Sequence, residues 1–561
     1  MTVDLKSSLP APARESEKGQ DPELEAVHSC ANGEFQPVER VGTKRNIRSR
    51  HAQMIAIGGS IGTGLFVGTG QALAVGGPGF LFLSYCLTSL LVYGIITAVI
   101  EISTYLPISG SSMAYYSGRY VSPSLGFALG WLYVYTFGVI VAYEITASSI
   151  VINFWPNNVP IAVWITILLI VVVGLNLSPV GVYAESEFWF AGLKIIMFAG
   201  LLILAIILIL GGGPDHDRLG FRYWVNPGAT NEYLVHGSGG RFTAFLYVWV
   251  FAGFSFYFGP ELIVLTSGEM RNPRKNLPIA SHRYFYRLAF FYVLGSLAIG
   301  AICSSNAKDI VSGAGNANAS PWVVAIRNAG ITVLPSIVNA GILTSAWSSG
   351  NSFLYMSSRT LYSLAVAGNA PKIFTRCNRY GLPIYAVLAS SCFTLLAYLT
   401  VNSEAGVVFN WFISLTNTSG YTSWVICSFV LIRFRKACVA QGVKVPYQSK
   451  FQPYAAWVCI FAFLFLLLAN GFTVFYPGHF KTSTFLTSYL GIPIFIILLL
   501  GHKFTVGRNQ PWLYSPAEVN LTDGLREVEA DAEMWARVDN TEREEGHQAR
   551  KWWKKVSILW G

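Results

Sequence analysis

The 561-residue sequence is poor in charge: Asp, Glu, Lys and Arg make up 12% of it, about half of the roughly 25% usual in globular chains. That scarcity excludes a soluble multidomain protein. Aspartate is missing from every long apolar run and no histidine stands in the middle of one, so neither an aspartyl dyad nor a Ser-His pair can form inside a bilayer. There is no G-x-x-x-x-G-K-[ST] loop to cradle phosphates, which removes an ATP-driven pump. The eight cysteines include no C-x-x-C pair, so neither a zinc cage nor a disulfide framework is indicated, and they read as packing residues. Nothing in this inventory calls for an enzyme, a cofactor or a metal. A formal charge of +10 raises nucleic acid as a partner, but the basic residues sit in short segments between apolar runs, where they set topology instead.

What is present is apolar. Hydrophobic residues reach 53% and aromatics 14%, with a mean hydropathy of +0.47, the balance of a polytopic protein solvated by lipid. Apolar runs fall near 52–75, 80–102, 125–155, 161–177, 188–210, 243–266, 285–303, 331–362, 384–401, 407–432, 454–476 and 485–501. Each is long enough, at about 17 residues or more, to cross the hydrocarbon as a helix. The expected organisation is a disordered cytosolic tail over 1–46, a twelve-helix domain over 47–504 and a cytosolic tail over 505–561. Basic residues cluster before the first run (Arg45, Arg48, Arg50) and after the sixth (Arg271, Arg274, Lys275), eighth (Lys372, Arg376, Arg379) and tenth (Arg433, Arg435, Lys436). By the positive-inside rule these segments, and both termini, are expected in the cytosol. The polar start has no apolar core of a signal peptide, so the first span is expected to act as the targeting signal.

Two runs are interrupted. The first carries glycines at 58, 59, 62, 64, 68 and 70, each costing about 1 kcal/mol of helix propensity relative to alanine. Such a cluster serves either a mid-depth helix break or a close small-residue interface. Five runs later, Phe251 to Glu261 contains Gly253, Gly259 and Pro260, and proline removes a backbone donor and clashes with the preceding turn. Paired interruptions in corresponding runs of two five-span halves point to an inverted repeat with a site between them. Freed N–H groups there suit a carboxylate and freed carbonyls an ammonium, so the site fits a small zwitterion.

The first run, Glu101-ISTYLPISG, Gly130-Trp131, Glu185-SEFWFAGLK, Glu261-LIVLTSGEMRNPRK and Leu334-PSIVNAGILTSAWSSGNS through Ala370-Pro371 together resemble the fungal amino-acid permeases of the amino acid–polyamine–organocation superfamily, over roughly 45 to 505. The resemblance implies an all-α membrane protein of about twelve helices in the LeuT-type five-plus-five inverted repeat. It also implies proton symport of amino acids across the plasma membrane. A transporter-like amino-acid sensor is the alternative; a channel would need a continuous polar lining that the runs do not offer. Relatives further imply ubiquitin-ligase machinery acting on the N-tail, at Lys6 or Lys18. Pro260, with Tyr257 and Phe258 before it, departs from the small or polar residues common there, so substrate choice does not carry over.

The break and its match to the family motif place Ser60, Gly62, Thr63 and Gly64 at the substrate carboxylate. Ser255, Phe256 and Phe258 are placed around the ammonium and the side-chain pocket. Ionisable residues inside spans are costly and normally functional or paired. Glu144, Lys194 and Glu261 are therefore the candidates for proton coupling. For Glu144 and Lys194 desolvation disfavours the charged form of each, and the resemblance implies that a fifth-span lysine and a third-span glutamate act together. Glu101 is expected nearer a membrane surface.

Overall fold

The computed structural model describes residues 27–31, 34–38, 62–107, 112–257, 259–267, 270, 272–311, 320–378, 381–402 and 405–546. The chain is an all-α membrane protein. Six helices among the described residues are long and apolar enough to span a bilayer, and a bent pair, Thr482–Tyr489 with Gly491–Phe504, makes a seventh. The first of the six, Gly64–Tyr105, has 42 residues, about 63 Å at 1.5 Å per residue and twice the hydrocarbon thickness. It is two spans: Gly77 has φ 77° and ψ 173° and Pro78 follows, a left-handed position that glycine alone takes without cost before a residue that cannot continue the ladder. These spans are α1 (64–76) and α2 (78–105).

The remaining spans are α3 (Pro123–Ile152), α4 (Ile161–Asn176), α5 (Val180–Leu210), α6a (Ser238–Phe256) with α6b (Gly259–Ser267), α7 (Pro273–Ile302), α8 (Leu334–Val366), α9 (384–402), α10 (Ala405–Ala440), α11 (Tyr454–Ala469) and α12 (482–504). Each of the twelve apolar runs therefore carries a helix within its described residues, those at 52–61 of the first run lying outside them. Several helices outrun them: α7 begins twelve residues before its apolar run, because Arg274, Lys275 and Arg283 occupy turns that emerge from the hydrocarbon. Long α8 and α10 fall outside the apolar count because they carry polar residues inward, among them Ser345, Ser348, Ser349, Asn351 and Ser352 on α8 and Thr416, Asn417 and Ser423 on α10, all buried.

The packing follows the repeat. Helix α2 packs on α7 and α3 on α8, each against its counterpart five spans on, as a pseudo-two-fold axis in the membrane plane requires. Helix α3 is buried along nearly its whole length and forms the centre of the bundle.

Outside the membrane part, Val27–Ala31 pairs antiparallel with Glu34–Val38, Val27 opposite Val38, within a segment expected to lack structure. The two strands are separated in sequence by Asn-Gly, the pair favoured in two-residue hairpins. The segment after α12 also packs. Arg119, on the short helix Met113–Tyr120, donates to the Asn520 carbonyl (2.7 Å) and the Asp523 carbonyl (2.7 Å). The Tyr105 hydroxyl donates to the Leu521 carbonyl (3.0 Å), Gln441 donates to that of Val519 (2.7 Å), and Val519 and Leu521 are buried.

On the same face Glu101 is fully buried and takes a two-pronged ion pair from Arg435 on α10, at 2.5 Å from Nε and 2.7 Å from Nη2. It does not snorkel to water. Removing one partner of such a pair leaves an uncompensated charge, at a cost of about 3–5 kcal/mol. Glu101→Gln should lower the thermal unfolding midpoint in detergent by several degrees, and adding Arg435→Met should recover part of the loss; equal midpoints for wild type and Glu101→Gln would show that the pair contributes nothing.

Candidate functional site

The site forms where α1 starts. Gly62 lies in a bend and the helix begins at Thr63, continuing through a π-helical turn, Gly64–Gly68. A π turn misaligns the ordinary ladder, and side chains take up its carbonyls: Ser320 donates to Phe66 (2.6 Å) and Thr69 to Leu65 (2.9 Å). The opening N–H groups have no partner within the helix and aim at whatever lies before it.

What lies before it is Glu144 of α3, 3% exposed. The Thr63 hydroxyl donates to Glu144 Oε2 at 2.9 Å, and the Thr63 N–H and the Ser349 hydroxyl of α8 donate to the same carboxylate. A Cβ at Gly62 would stand 2.2 Å from Glu144 Oε1 and 3.0 Å from Ser349 Oγ. Glycine is required there by the close approach of the carboxylate, not by backbone conformation. Lys194 of α5, 1% exposed, lies within electrostatic reach of Glu144 and of Glu187, also on α5.

The second interruption faces the first. Helix α6a ends at Phe256, and Tyr257 is extended with φ −61° and ψ 144° before α6b starts at Gly259. Helix α10 holds the end of α6a in place: Tyr421 (2.8 Å) and Asn417 (3.3 Å) both donate to the Val250 carbonyl, and the Tyr257 hydroxyl donates to the Asn417 carbonyl at 3.3 Å.

A cavity lies between the two interruptions. Gly62 and Gly64 line it from α1, Ile140 and Glu144 from α3, Phe254, Ser255 and Tyr257 from the end of α6a, Tyr292 from α7 and Phe353 from α8. Ser255 shares a hydrogen bond with the Tyr85 hydroxyl of α2 at 2.8 Å. No lysine or arginine is among the described lining residues.

Of the residues singled out from sequence, Gly62, Thr63, Gly64, Ser255, Glu144 and Lys194 gather here. Ser60 and Phe258 lie outside the described residues, as do Lys6 and Lys18. Phe256 is fully buried and packs on Tyr292 (ring centroids 4.5 Å) and Tyr85 (6.0 Å), behind the lining to which Tyr292 and Phe254 belong. Glu261 does not join the Glu144 cluster. It accepts from Ser423 of α10 at 2.8 Å, and Ser423 is bonded in turn to the Tyr133 hydroxyl. Tyr133 lies eleven residues before Glu144 on α3, about 16 Å along the axis. Sequence reasoning missed Ile140, Phe254, Tyr292 and Phe353, which carried no signal beyond being apolar or aromatic. It also missed Glu187, whose signal was its spacing of seven from Lys194, two turns on one helix face.

A helix N-terminus, a buried carboxylate with a lysine nearby and a half-aromatic cavity at the centre of an inverted repeat define a carrier for a small zwitterion. The amino acid permease family matches the chain over residues 51–514, and the protein belongs to that family. It transports amino acids across a membrane and is not an enzyme. It is similar to the proline-specific permease of Emericella nidulans, 45% identical over 98% of this chain and 99% of the relative. It is also similar to the probable proline-specific permease of Schizosaccharomyces pombe, 47% identical over 85% of this chain and 87% of the relative. The dicarboxylic amino acid permease of Saccharomyces cerevisiae is 39% identical over 90% and 84%.

The contact at Gly62 gives a direct test. Gly62→Ala must displace the Glu144 carboxylate, so substrate binding to purified protein should weaken tenfold or more with surface expression intact. Pairing it with Glu144→Ala removes the atom that the new methyl group meets and should restore part of the binding. Normal uptake by Gly62→Ala would show that this contact does not matter.

Proposed function

We propose that the protein imports a small neutral amino acid, proline first among the candidates, across the plasma membrane by proton symport, with both termini in the cytosol. The observation that carries this reading is the Glu144 carboxylate on the Thr63 donors, beside the cavity and within reach of Lys194. The substrate carboxylate needs the same N–H groups of Gly62, Thr63 and Gly64, with Ser60 close by. An ionised Glu144 competes for them; a protonated one yields them. Proton uptake and substrate binding then favour each other, the thermodynamic requirement for symport. Carbonyls near Ser255, Phe256 and Phe258 take the ammonium. Glu261, tied to Ser423, is the weaker candidate for the coupled proton.

Proline is favoured on two counts. Several relatives are named for it, and the apolar and aromatic lining side chains Ile140, Phe254, Tyr292 and Phe353 suit a compact ring. A second carboxylate would meet no cation among the described lining residues, which argues against an acidic substrate despite the dicarboxylic relative. Segments rich in lysine and arginine on one face support cytosolic termini.

Purified protein in liposomes, offered labelled proline, glutamate, lysine and leucine with and without an inward proton gradient, tests the whole reading. Gradient-driven accumulation of proline is expected; binding without accumulation would make the protein a sensor. Glu144→Gln and Lys194→Met should each lose gradient-driven accumulation by about tenfold or more while substrate exchange at zero gradient persists. Accumulation that still tracks the gradient in both would remove them from coupling. Phe254→Ala and Phe353→Ala should raise uptake of leucine relative to proline; an unaltered preference in both would move the side-chain pocket elsewhere.

A further inference from the structure

We propose that Glu187 is the inner proton acceptor of the transport cycle, sharing Lys194 with Glu144 and delivering the coupled proton to the cytosolic side; this rests on the proton-symport reading. Glu187 is fully buried on α5, two turns before Lys194 and so about 10 Å nearer the end of the helix that faces the basic segments. Its oxygens accept from Ser348 of α8 at 2.7 Å and from Asn351 at 3.5 Å, and Asn351 is held by Asn176 of α4 at 2.7 Å. Consecutive serines of α8 thus serve the two carboxylates, Ser348 on Glu187 and Ser349 on Glu144. Lys194 is in electrostatic reach of both.

Charge arithmetic gives the cluster its role. One buried ammonium faces two buried carboxylates, and a surplus negative charge at this depth is costly. One proton makes the set neutral, and it has two places to sit. With the proton on Glu144, Lys194 pairs with Glu187; with it on Glu187, Lys194 pairs with Glu144. For transfer, Lys194 Nζ gives a proton to Glu187 and regains one from Glu144, leaving the lysine unchanged and one proton moved inward.

Of the other titratable and charged groups, Tyr143 of α3 faces Glu144 from its own helix, and those beside Glu187 form a seal. Tyr292 of α7 faces Glu144. One turn before Glu187, Tyr183 stacks on Tyr355 of α8, centroids 4.5 Å apart and planes at 11°, and the Arg359 guanidinium lies over Tyr355 at 5.0 Å. This stack stands between Glu187 and the basic face, so release of the proton requires α5 and α8 to part there.

The test uses the full chain in liposomes. In Glu187→Gln the proline accumulation ratio under an inward proton gradient should fall at least tenfold, counterflow exchange should persist, and Glu187→Asp should restore part of the accumulation. Accumulation that follows the gradient in Glu187→Gln would overturn the role while leaving symport standing. Loss of exchange as well, in protein that elutes as a single sharp peak, would equally overturn it, because Glu187 would then serve the helix movement itself. Wild type that fails to accumulate proline with the gradient would instead remove the symport reading and this inference with it. Should Glu187→Gln fail to purify, Ser348→Ala takes its place: the dependence of proline efflux on internal pH should shift, and an unshifted profile would overturn the proposal.

Discussion

A helix that starts inside hydrocarbon exposes backbone donors that lipid cannot satisfy, and the protein must supply an acceptor or leave a cost of several kcal/mol per group. At the start of α1 the acceptor is the Glu144 carboxylate. Much else follows from that one contact. Gly62 has no side chain because the carboxylate lies against it. Helix α8 brings a serine because the carboxylate has lone pairs to spare, and α5 brings Lys194 because a buried anion needs compensation. The cavity lies beside this contact because it is where an incoming zwitterion finds donors already aimed.

The second interruption is held differently. Among the described residues, the hydrogen bonds that fix the end of α6a come from neutral groups. Helix α10 donates twice to one carbonyl of α6a and accepts from Tyr257 across the extended residue. The two halves are thus alike in topology and unlike in chemistry: one break presents donors to a carboxylate, the other is fixed by neutral hydrogen bonds near Ser255. This asymmetry matches the two ends of an amino acid.

The twelve runs, the paired interruptions and the residues Gly62, Thr63, Gly64, Glu144 and Lys194 that meet at the start of α1 stood out in the sequence, because glycine, proline and intramembrane charge each have a physical cost that demands a reason. Helix ends were less so. The charges of α7 mark where it leaves the hydrocarbon and do not mark where the helix stops. Phe254 and Phe256 could not be told apart, since which ring meets the cavity depends on how α6a is rotated as it ends. Glu187 stood unremarked two turns from Lys194 because its partners, Ser348 and Asn351, belong to a helix 161 and 164 positions away. The packing of the segment after α12 had no periodicity to announce it, since most of its bonds run through backbone carbonyls.

That last segment reaches far back along the chain. Leu521 and Asn520 bond to Tyr105 and Arg119, separations of 416 and 401 residues. During synthesis at about 5–20 residues per second, the first helices therefore wait tens of seconds with that face open, through the insertion of ten further spans. The face closes only when residues 519–523 emerge. A chain cut short before Asn520 would present an unfilled surface around Tyr105 and Arg119, so the contact ties the fit of the first helices to a segment made long after them.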